Sequence, residues 1–458
     1  MVIGLGISGR AAARLLAAHD AHLVMTDLCA NLSRSDLPNG EVHLGAEDPA
    51  WLAGVDLIVA SPGVPPTSKL MIAARERRIP LIGELELGSR FVNARMVAIT
   101  GTNGKSTVTV MVGEILKAAG LKTFVGGNLG TPLANAAGSA QKATVATDSA
   151  TGDVHRATGV AYDAAVIEVS SYQLELIDTF KPHVGIHLNL TDDHLDRYRD
   201  LEEYGQAKAR LFENQDAGDW AILNRDDAQV WKLAREVRSP VFSFGIERPA
   251  SAVANGTHAI WCEGDRLAFT DARGGGRIAI RGFKLPGKHN LLNAMAAAAA
   301  ALAMGVAPEI IERTIAGFTG LAHRTEFVGE KDGVRYVDDS KGTNVGAVVE
   351  ALAATRGPVI LIAGGVDKGG DYGPLRAPLK EKVRMLILFG AAREKMRAAL
   401  EGATVIESVM TLTEAVRIAA MNARRGDTVM LSPACSSFDQ FKDYAERGRI
   451  FQELVRAL

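Results

Sequence analysis

Short apolar, β-branched runs alternate with helical stretches along most of this chain. Strands are predicted at residues 21–25, 56–60, 96–100, 165–168, 334–337, 359–363, 383–389 and 428–432, and helices at 10–18, 108–119 and 308–316. Such alternation is typical of parallel sheets covered by helices, because a parallel connection leaves room for a helix between two strands. The pattern therefore predicts the α/β fold class.

The segment 101–107, Gly-Thr-Asn-Gly-Lys-Ser-Thr, joins a predicted strand to a predicted helix. Glycines let the backbone approach an anion, and successive N–H groups at a helix N-terminus point at it. Lys105 adds a positive charge, and Ser106 can ligate Mg²⁺. The segment therefore predicts a loop that binds the phosphates of a nucleoside triphosphate, with Ile99 where the usual pattern has glycine.

A second glycine-rich turn opens the chain. Gly4, Gly6 and Gly9 precede Asp27, which ends the next predicted strand. This spacing is typical of a dinucleotide site, in which the acid holds a ribose hydroxyl. The same turn could hold another diphosphate, or only allow tight packing of a helix on a strand, so these residues alone leave the ligand open. A diphosphate is favoured.

Two later strands end in polar residues. Glu168 follows an apolar strand, where a carboxylate is costly, and a metal would explain it because the carboxyl ends of parallel strands share a crevice. His194, in the turn after the next strand, is a candidate metal ligand or phosphate contact, or a structural hydrogen-bonding residue. On composition alone, Lys208 is predicted to be an ordinary solvated helix lysine.

The amino-acid composition limits which classes of binding partner are expected. The chain has 51 Lys and Arg against 53 Asp and Glu, so no broad basic face favours nucleic acid or an anionic membrane, and a small molecule is expected. The three cysteines match no disulfide framework or zinc spacing. No secretion signal is evident, and the apolar run 294–304 is too short to span a bilayer. We expect a cytoplasmic protein without membrane insertion.

Length and breaks in the pattern predict three domains. The 458 residues exceed what one core usually serves. We predict an N-terminal Rossmann-like domain at 1–94, a central P-loop ATPase-type sheet at 95–320, and a C-terminal Rossmann-like domain at 321–458. Residues 138–161 are rich in Ala, Gly, Ser and Thr and lack a clear period, which indicates a mobile surface insertion.

An ordered set of motifs runs along nearly the whole chain. Besides 101–107, it comprises GGNLG at 126–130, EVSSYQLE at 168–175, LTDDHLD at 190–196, GKHN at 287–290 with Asn293, HR at 323–324, DSKGTN at 339–344, LSPACSSFDQFK at 431–442 and RG at 447–448. Together these motifs resemble the Mur ligase family. The compact N-terminal domain, Ser106-Thr107 and the Ser-Pro-Ala-Cys segment favour its glutamate-adding branch.

The resemblance implies an ATP-dependent ligase of peptidoglycan precursor synthesis. UDP-N-acetylmuramoyl-L-alanine and glutamate are the implied substrates, joined through an acyl phosphate, and a monomer is expected. The first glycine turn is thereby reassigned to the uridine diphosphate, without a nicotinamide cofactor. The resemblance leaves the stereochemistry of the glutamate open. The implied residues for the UDP substrate are Gly6, Ser8 and Asp27.

The resemblance also assigns roles at the other two substrates. Residues of the phosphate loop and of the C-terminal domain would contact ATP: Gly101, Thr102, Asn103, Gly104, Lys105, Ser106, Thr107, Asn290, Asn293, Arg324, Asp339 and Lys341. The last three would act only when the C-terminal domain closes. The implied contacts of the incoming amino acid are Thr343, Lys368, Ser437 and Tyr444.

Two Mg²⁺ ions are implied in the centre. Their implied ligands are Ser106, Glu168, His194 and Lys208. Lys208 aligns with a lysine that is carbamylated in this family, and carbamylation replaces a cation with an anionic oxygen donor. The implied catalytic residues are Lys105, Lys208, His194 and Asn128.

Three other functions remain open at this point. A nicotinamide-dependent oxidoreductase built on the first turn would leave the phosphate loop without a purpose. A non-catalytic, degenerate ligase would lack metal or phosphate groups, yet Lys105, Ser106 and Glu168 are present. A folylpolyglutamate synthetase also joins glutamate to a carboxylate, and the compact N-terminal domain argues against it.

Overall fold

The structure is a computed structural model, and it describes residues 1–137, 146–147, 154–155, 162–193, 197–249, 258–271, 274–367, 369 and 371–458. Among these residues, strands form sheets of five, nine and six strands, and a separate pair of short strands. The α/β class and the three-domain architecture are confirmed. The exact boundaries at 94/95 and 320/321 stay predictions.

The first sheet is parallel throughout, in the order β3-β2-β1-β4-β5. Its strands are β1 Val2–Ile3, β2 Val24–Asp27, β3 Glu41–Leu44, β4 Ile58–Ala60 and β5 Leu81–Gly83. Its helices are α1 Ile7–Ala18, α2 Lys69–Glu76 and α3 Glu84–Ser89. A Cβ built on Gly9 would lie 1.8 Å from the carbonyl oxygen of Gly4. The first glycine turn therefore packs α1 directly against the end of β1.

The second sheet has the order β16-β15-β14-β13-β12-β11-β6-β10-β7. Its strands, together with the separate pair β8 and β9, are β6 Arg95–Thr100, β7 Thr123–Gly127, β8 Ala146–Thr147, β9 Val154–His155, β10 Ala164–Glu168, β11 Val184–His187, β12 Trp220–Asn224, β13 Val241–Phe244, β14 His258–Glu263, β15 Arg266–Thr270 and β16 Gly276–Ala279. The accompanying helices are α4 Lys105–Ala118, α5 Ser171–Leu174, α6 Leu201–Ala209, α7 Ala228–Lys232, α8 Lys288–Ala303 and α9 Pro308–Gly317. Apart from β8 and β9, the rest of 138–161 lies outside the described residues, so the predicted mobile insertion stays a prediction.

One edge of the second sheet departs from the predicted parallel arrangement. Strands β14, β15 and β16 pair antiparallel, whereas the strands from β7 to β14 pair parallel. The reason is a two-residue turn at Gly264-Asp265, since Glu263 pairs with Arg266 directly across it. Gly264 has a φ of 63°, which a tight hairpin commonly requires and glycine adopts freely.

An alanine-rich helix fills one face of the second sheet. Residues 294–301 of α8 are fully buried and pack against α4. Small side chains let the two helices approach closely while the surrounding aliphatic residues complete the core. The apolar run that ends at Met304 is thus a core helix. Across the described part of the chain, no helix is both long enough and apolar enough to cross a membrane.

The third sheet has the order β17-β18-β22-β19-β20-β21 and is parallel except for β17. Its strands are β17 Glu326–Lys331, β18 Val334–Asp338, β19 Val359–Gly364, β20 Val383–Phe389, β21 Val405–Ser408 and β22 Thr428–Leu431. Its helices are α10 Val345–Ala354, α11 Arg376–Lys382, α12 Arg393–Leu400, α13 Leu412–Asn422 and α14 Tyr444–Ala457. Apolar clusters cover both faces, which explains why its central strands are continuously apolar.

Candidate active site

The phosphate loop leaves β6 after Thr100, and α4 begins at Lys105, three residues before the predicted start. The ammonium of Lys105 donates to the carbonyls of Gly101 and Thr102, both at 2.8 Å. Asn189, just beyond β11, holds the loop from the other side. It accepts from the N–H of Asn103 at 2.8 Å and donates to the Asn103 carbonyl at 3.0 Å. The loop is therefore fixed by neighbouring strand ends.

A buried carboxylate lies beside this loop. Glu168 is only 3% exposed; it accepts from the Ser106 hydroxyl at 2.6 Å and from the Asn128 amide at 2.8 Å. Burial alone would raise the pKa of Glu168, but the charges of Lys105 and Lys341 and the two hydrogen bonds lower it overall. An ionised carboxylate next to a hydroxyl oxygen is a donor set that fits Mg²⁺.

Lys208 is buried beside the same loop, at 1% exposure. The composition-based prediction of a solvated lysine is therefore wrong, because α6 packs this side chain inward. Its ammonium donates to the Gly101 carbonyl at 3.1 Å and lies 4.3 Å from the centre of the Tyr204 ring. Burial and the charge of Lys105 hold the pKa of Lys208 well below its usual range. Its amine is thus unusually ready to lose a proton.

A cavity of about 670 Å³ opens next to the loop, between the central and C-terminal parts of the chain. It brings together most of the residues predicted to contact the nucleotide: Asn103, Gly104, Thr107, Asn290, Asn293, Arg324 and Asp339. Asp339 is buried and accepts from the Ser432 hydroxyl at 2.6 Å, and burial raises its pKa to about 6. The cavity has the size and position expected for a nucleotide next to a phosphate loop.

The C-terminal domain already contacts the phosphate loop. Asn344, the N-cap of α10, lies 3.2 Å from the amide oxygen of Asn103 and 3.3 Å from the carboxylate of Asp193. Burial and the charge of Arg324 lower the pKa of Lys341 to about 8. The charge of Lys341 in turn lowers the pKa of Glu168. One cation of the C-terminal domain, Lys341, therefore acts on the carboxylate of the central domain.

The residues predicted for the amino acid are only partly described. Thr343 lines the cavity, and Ser437 is buried at 2% exposure. The hydroxyl of Tyr444 lies 3.2 Å from the ammonium of Lys341. Lys368 lies outside the described residues, and so does the metal-ligand candidate His194. The roles of all five stay predictions.

Asp27 makes hydrogen bonds to the backbone of the N-terminal turn. One carboxylate oxygen accepts from the N–H of Leu5 at 2.6 Å and the other from the N–H of Cys29 at 2.8 Å. Asp27 thus shapes the turn by binding its backbone. Gly6 is exposed and Ser8 half-buried on the same turn. Contact of Gly6, Ser8 and Asp27 with a uridine diphosphate stays a prediction.

Sequence reasoning missed three residues of this site. Asn189 and Asn344 fix the phosphate loop from two domains. His187, the last residue of β11, is 1% exposed, and burial and the charges of Lys208 and Lys105 lower its pKa to about 3. Their position in the chain could have indicated a role for His187 and Asn189, because both lie at the carboxyl end of a strand beside the phosphate loop.

Three Mur ligase domain families match the chain. The MurD-like N-terminal domain matches residues 1–83, the Mur ligase middle domain 99–301, and the glutamate ligase domain 323–435. Two relatives named UDP-N-acetylmuramoylalanine–D-glutamate ligase, from Syntrophotalea carbinolica and Geotalea daltonii, are 43% and 44% identical, over 100% of this chain and 97% of each relative. The chain belongs to the Mur ligase family. It is an amide-forming ligase.

Solved structures share the fold of this Mur ligase. A pseudomurein peptide ligase type C from Methanothermus fervidus is 18% identical with a TM-score of 0.60, covering 100% of this chain and 99% of that one. UDP-N-acetylmuramate–alanine ligase from Thermotoga maritima is 17% identical with a TM-score of 0.57, over 100% and 98%. FolC from E. coli, in complex with ADP, is 19% identical with a TM-score of 0.56, over 81% and 91%.

A matched pair of glycine variants tests the loop geometry of this Mur ligase. Gly104 and Gly120 both have a φ of 86°, so alanine strains the backbone at each by about 1–2 kcal/mol. A Cβ on Gly104 would also lie 2.4 Å from the Asn293 amide oxygen, whereas a Cβ on Gly120 meets nothing within 4 Å. We expect Gly104→Ala to weaken ATP binding, measured by calorimetry, and Gly120→Ala to leave it unchanged. Equal ATP affinity of the two variants would contradict this loop geometry.

Proposed function

We propose that this Mur ligase joins D-glutamate to the L-alanyl carboxyl group of UDP-N-acetylmuramoyl-L-alanine, with ATP converted to ADP and phosphate. Relatives carrying that name align over the full chain at 43% and 44% identity. The observation that carries the proposal is the buried pair Ser106 and Glu168 beside the phosphate loop. Asn128 also donates to Glu168, and the charge of Lys341 helps to lower the pKa of that carboxylate. The match of residues 1–83 to a MurD-like domain favours this reaction over folylpolyglutamate synthesis.

Two Mg²⁺ ions complete the proposed site. Ser106 and Glu168 would hold the first, and their buried oxygen atoms suit a hard cation. His194 and carbamylated Lys208 would hold the second, and the depressed pKa of Lys208 supports that modification because the neutral amine is the form that reacts with CO₂. The ions would neutralise negative charge on the phosphate oxygens.

The protein's own part in the reaction is to bring anions together. Lys105 stabilises negative charge on the transferred phosphoryl group, and Asn128 approaches the substrate carboxylate that attacks it. The C-terminal domain, which contacts the loop through Asn344, keeps water from the acyl phosphate. The amine of D-glutamate then attacks the acyl carbon, and the tetrahedral intermediate releases phosphate as the amide forms.

Chemical trapping tests this route. Borohydride reduces an acyl phosphate to an alcohol, so treating enzyme, ATP, Mg²⁺ and UDP-N-acetylmuramoyl-L-alanine without glutamate should convert the terminal alanyl group to an alaninol derivative. Mass spectrometry detects that product. We expect it only when ATP is present. Amide formation without any trapped alcohol, and with phosphate release that waits for glutamate, would contradict a separate acyl-phosphate step.

A carboxylate variant tests the metal assignment. Glu168→Gln keeps the volume of the side chain and removes its charge, so we expect the Mg²⁺ concentration for half-maximal ligation to rise by at least about tenfold. The matched control is Glu114→Gln on α4, because Glu114 is exposed. Mg²⁺ titrations of both variants make the comparison, and an unchanged midpoint for Glu168→Gln would remove Glu168 from the metal site.

Cytoplasmic location and the monomeric state stay predictions. Size-exclusion chromatography with light scattering tests the second of them directly.

A further inference from the structure

At the carboxyl ends of β6 and β11, three buried polar atoms have no hydrogen-bond partner among the described residues around them. They are the two ring nitrogens of His187 and the hydroxyl of Thr100. His187 is 1% exposed and Thr100 is fully buried. Buried polar side chains are almost always paired, and leaving one unpaired is costly. Two neighbouring unpaired side chains therefore point to a partner that the described residues, in their unmodified form, do not supply.

The two side chains leave the sheet on the same side. His187 on β11 is the register partner of Thr100 on β6. Side chains alternate along a strand, so His187 shares a face with Gly185, whose built Cβ would lie 2.9 Å from the Phe212 ring. Thr100 likewise shares a face with Ala98, which belongs to the same apolar cluster as Phe212. His187 and Thr100 thus form a polar pair on an otherwise apolar face.

Lys208 lies at this polar pair. Its ammonium donates to the carbonyl of Gly101, the residue directly after Thr100, at 3.1 Å. Lys208 is close enough for its charge to act on the imidazole of His187, but burial is the larger cause of the lowered pKa of that ring, so the imidazole is neutral. A neutral imidazole offers one N–H donor and one acceptor nitrogen, and the Thr100 hydroxyl offers both functions as well. His187 and Thr100 can therefore bind a group that both accepts and donates hydrogen bonds.

We propose that His187 and Thr100 are positioning residues that hold the carbamate of Lys208. The proposal rests on the carbamylation of Lys208 in the proposed function. In that step the neutral amine of Lys208 attacks the carbon of CO₂. A C–N bond forms, one C=O electron pair moves to oxygen, and the amine proton is lost to solvent. The resulting carbamate has two oxygen atoms that accept hydrogen bonds and one N–H group that donates one. These groups match the unpaired donors and acceptors of His187 and Thr100.

Carbon-13 NMR of the full-length enzyme with ¹³C-bicarbonate tests this proposal without relying on activity. The wild type should show one carbamate signal, and Lys208→Ala should lack it. We expect Thr100→Val, which removes only the hydroxyl, and His187→Leu each to lower the carbamate occupancy at fixed bicarbonate by about tenfold. His187→Gln retains a donor and an acceptor and should recover part of the signal.

The matched control is Thr26→Val in the first sheet. Thr26 is 1% exposed, and its hydroxyl is also without a partner among the described residues, but it lies on β2 in another sheet. Thr26→Val should keep the full signal. Wild-type occupancy in both Thr100→Val and His187→Leu would overturn the role of the pair. No Lys208 signal in the wild type would overturn it as well, while amide formation from D-glutamate would still uphold the proposed function.

Discussion

Replacing Lys105 with alanine is expected to lower the rate of ATP-dependent ligation by about 10³-fold. The ammonium of Lys105 lies within the phosphate loop, bonded to two loop carbonyls, and its charge reaches the buried carboxylate of Glu168. Binding of the UDP substrate should stay nearly unchanged, because its predicted turn at Gly6 belongs to the first sheet. Product formation and calorimetric titration with UDP-N-acetylmuramoyl-L-alanine measure the two effects.

A lysine on the same helix gives the control for this variant. Lys117 is exposed in the last turn of α4. Lys117→Ala should therefore leave the ligation rate and the affinity for the UDP substrate within about twofold of the wild type, because substitutions at exposed positions usually have small effects. Loss of UDP-substrate binding in Lys105→Ala would contradict the separation of the two sites.

Replacing Arg447 with methionine is expected to destabilise the protein by about 3–5 kcal/mol, because several buried acceptors lose their donor at about 1–3 kcal/mol each. Arg447 is fully buried, and burial lowers its pKa to about 10, so it stays charged at neutral pH. Its guanidinium donates to the hydroxyl and carbonyl of Ser340, at 3.0 and 2.8 Å, and to the carbonyl of Cys435 at 3.2 Å. Methionine fills similar space but leaves these acceptors unpaired in the interior.

The control for Arg447 lies two residues further along α14. Arg449 is exposed, and its ion pair with Glu453 is on the surface, so Arg449→Met should change stability by no more than about 0.5 kcal/mol. Urea-induced unfolding followed by circular dichroism compares the two variants. Equal midpoints would show that the buried guanidinium network does not hold the C-terminal sheet together.

The sheets were predictable because their strands are buried on both faces. Strand β20 has the predicted bounds, and β19 and β22 differ from theirs by one residue each. A continuous apolar run bounded by turn residues is a strong local signal for such strands. The antiparallel edge β14–β16 was not predicted, because its strands are only partly buried and have only short apolar runs.

The parts of the candidate site that were predicted best are those whose functional residues are adjacent in the sequence. The phosphate loop, with Lys105 and Ser106, is a contiguous motif. Local composition could not show that Lys208 is buried, because the packing of α6 against the loop depends on residues about a hundred positions away. The contact of Asn344 with Asn103 spans two domains and is equally invisible to a local pattern. Long-range packing, rather than residue type, decides these roles.

The measurement that tests the central claim most directly is phosphate release from ATP and Mg²⁺ with UDP-N-acetylmuramoyl-L-alanine, in parallel with D-glutamate, L-glutamate or neither. Mass spectrometry of the same mixtures identifies any new amide. We expect sustained turnover and the amide product with D-glutamate alone. Turnover with L-glutamate alone would change the named substrate, and no turnover in any mixture would contradict the ligase function.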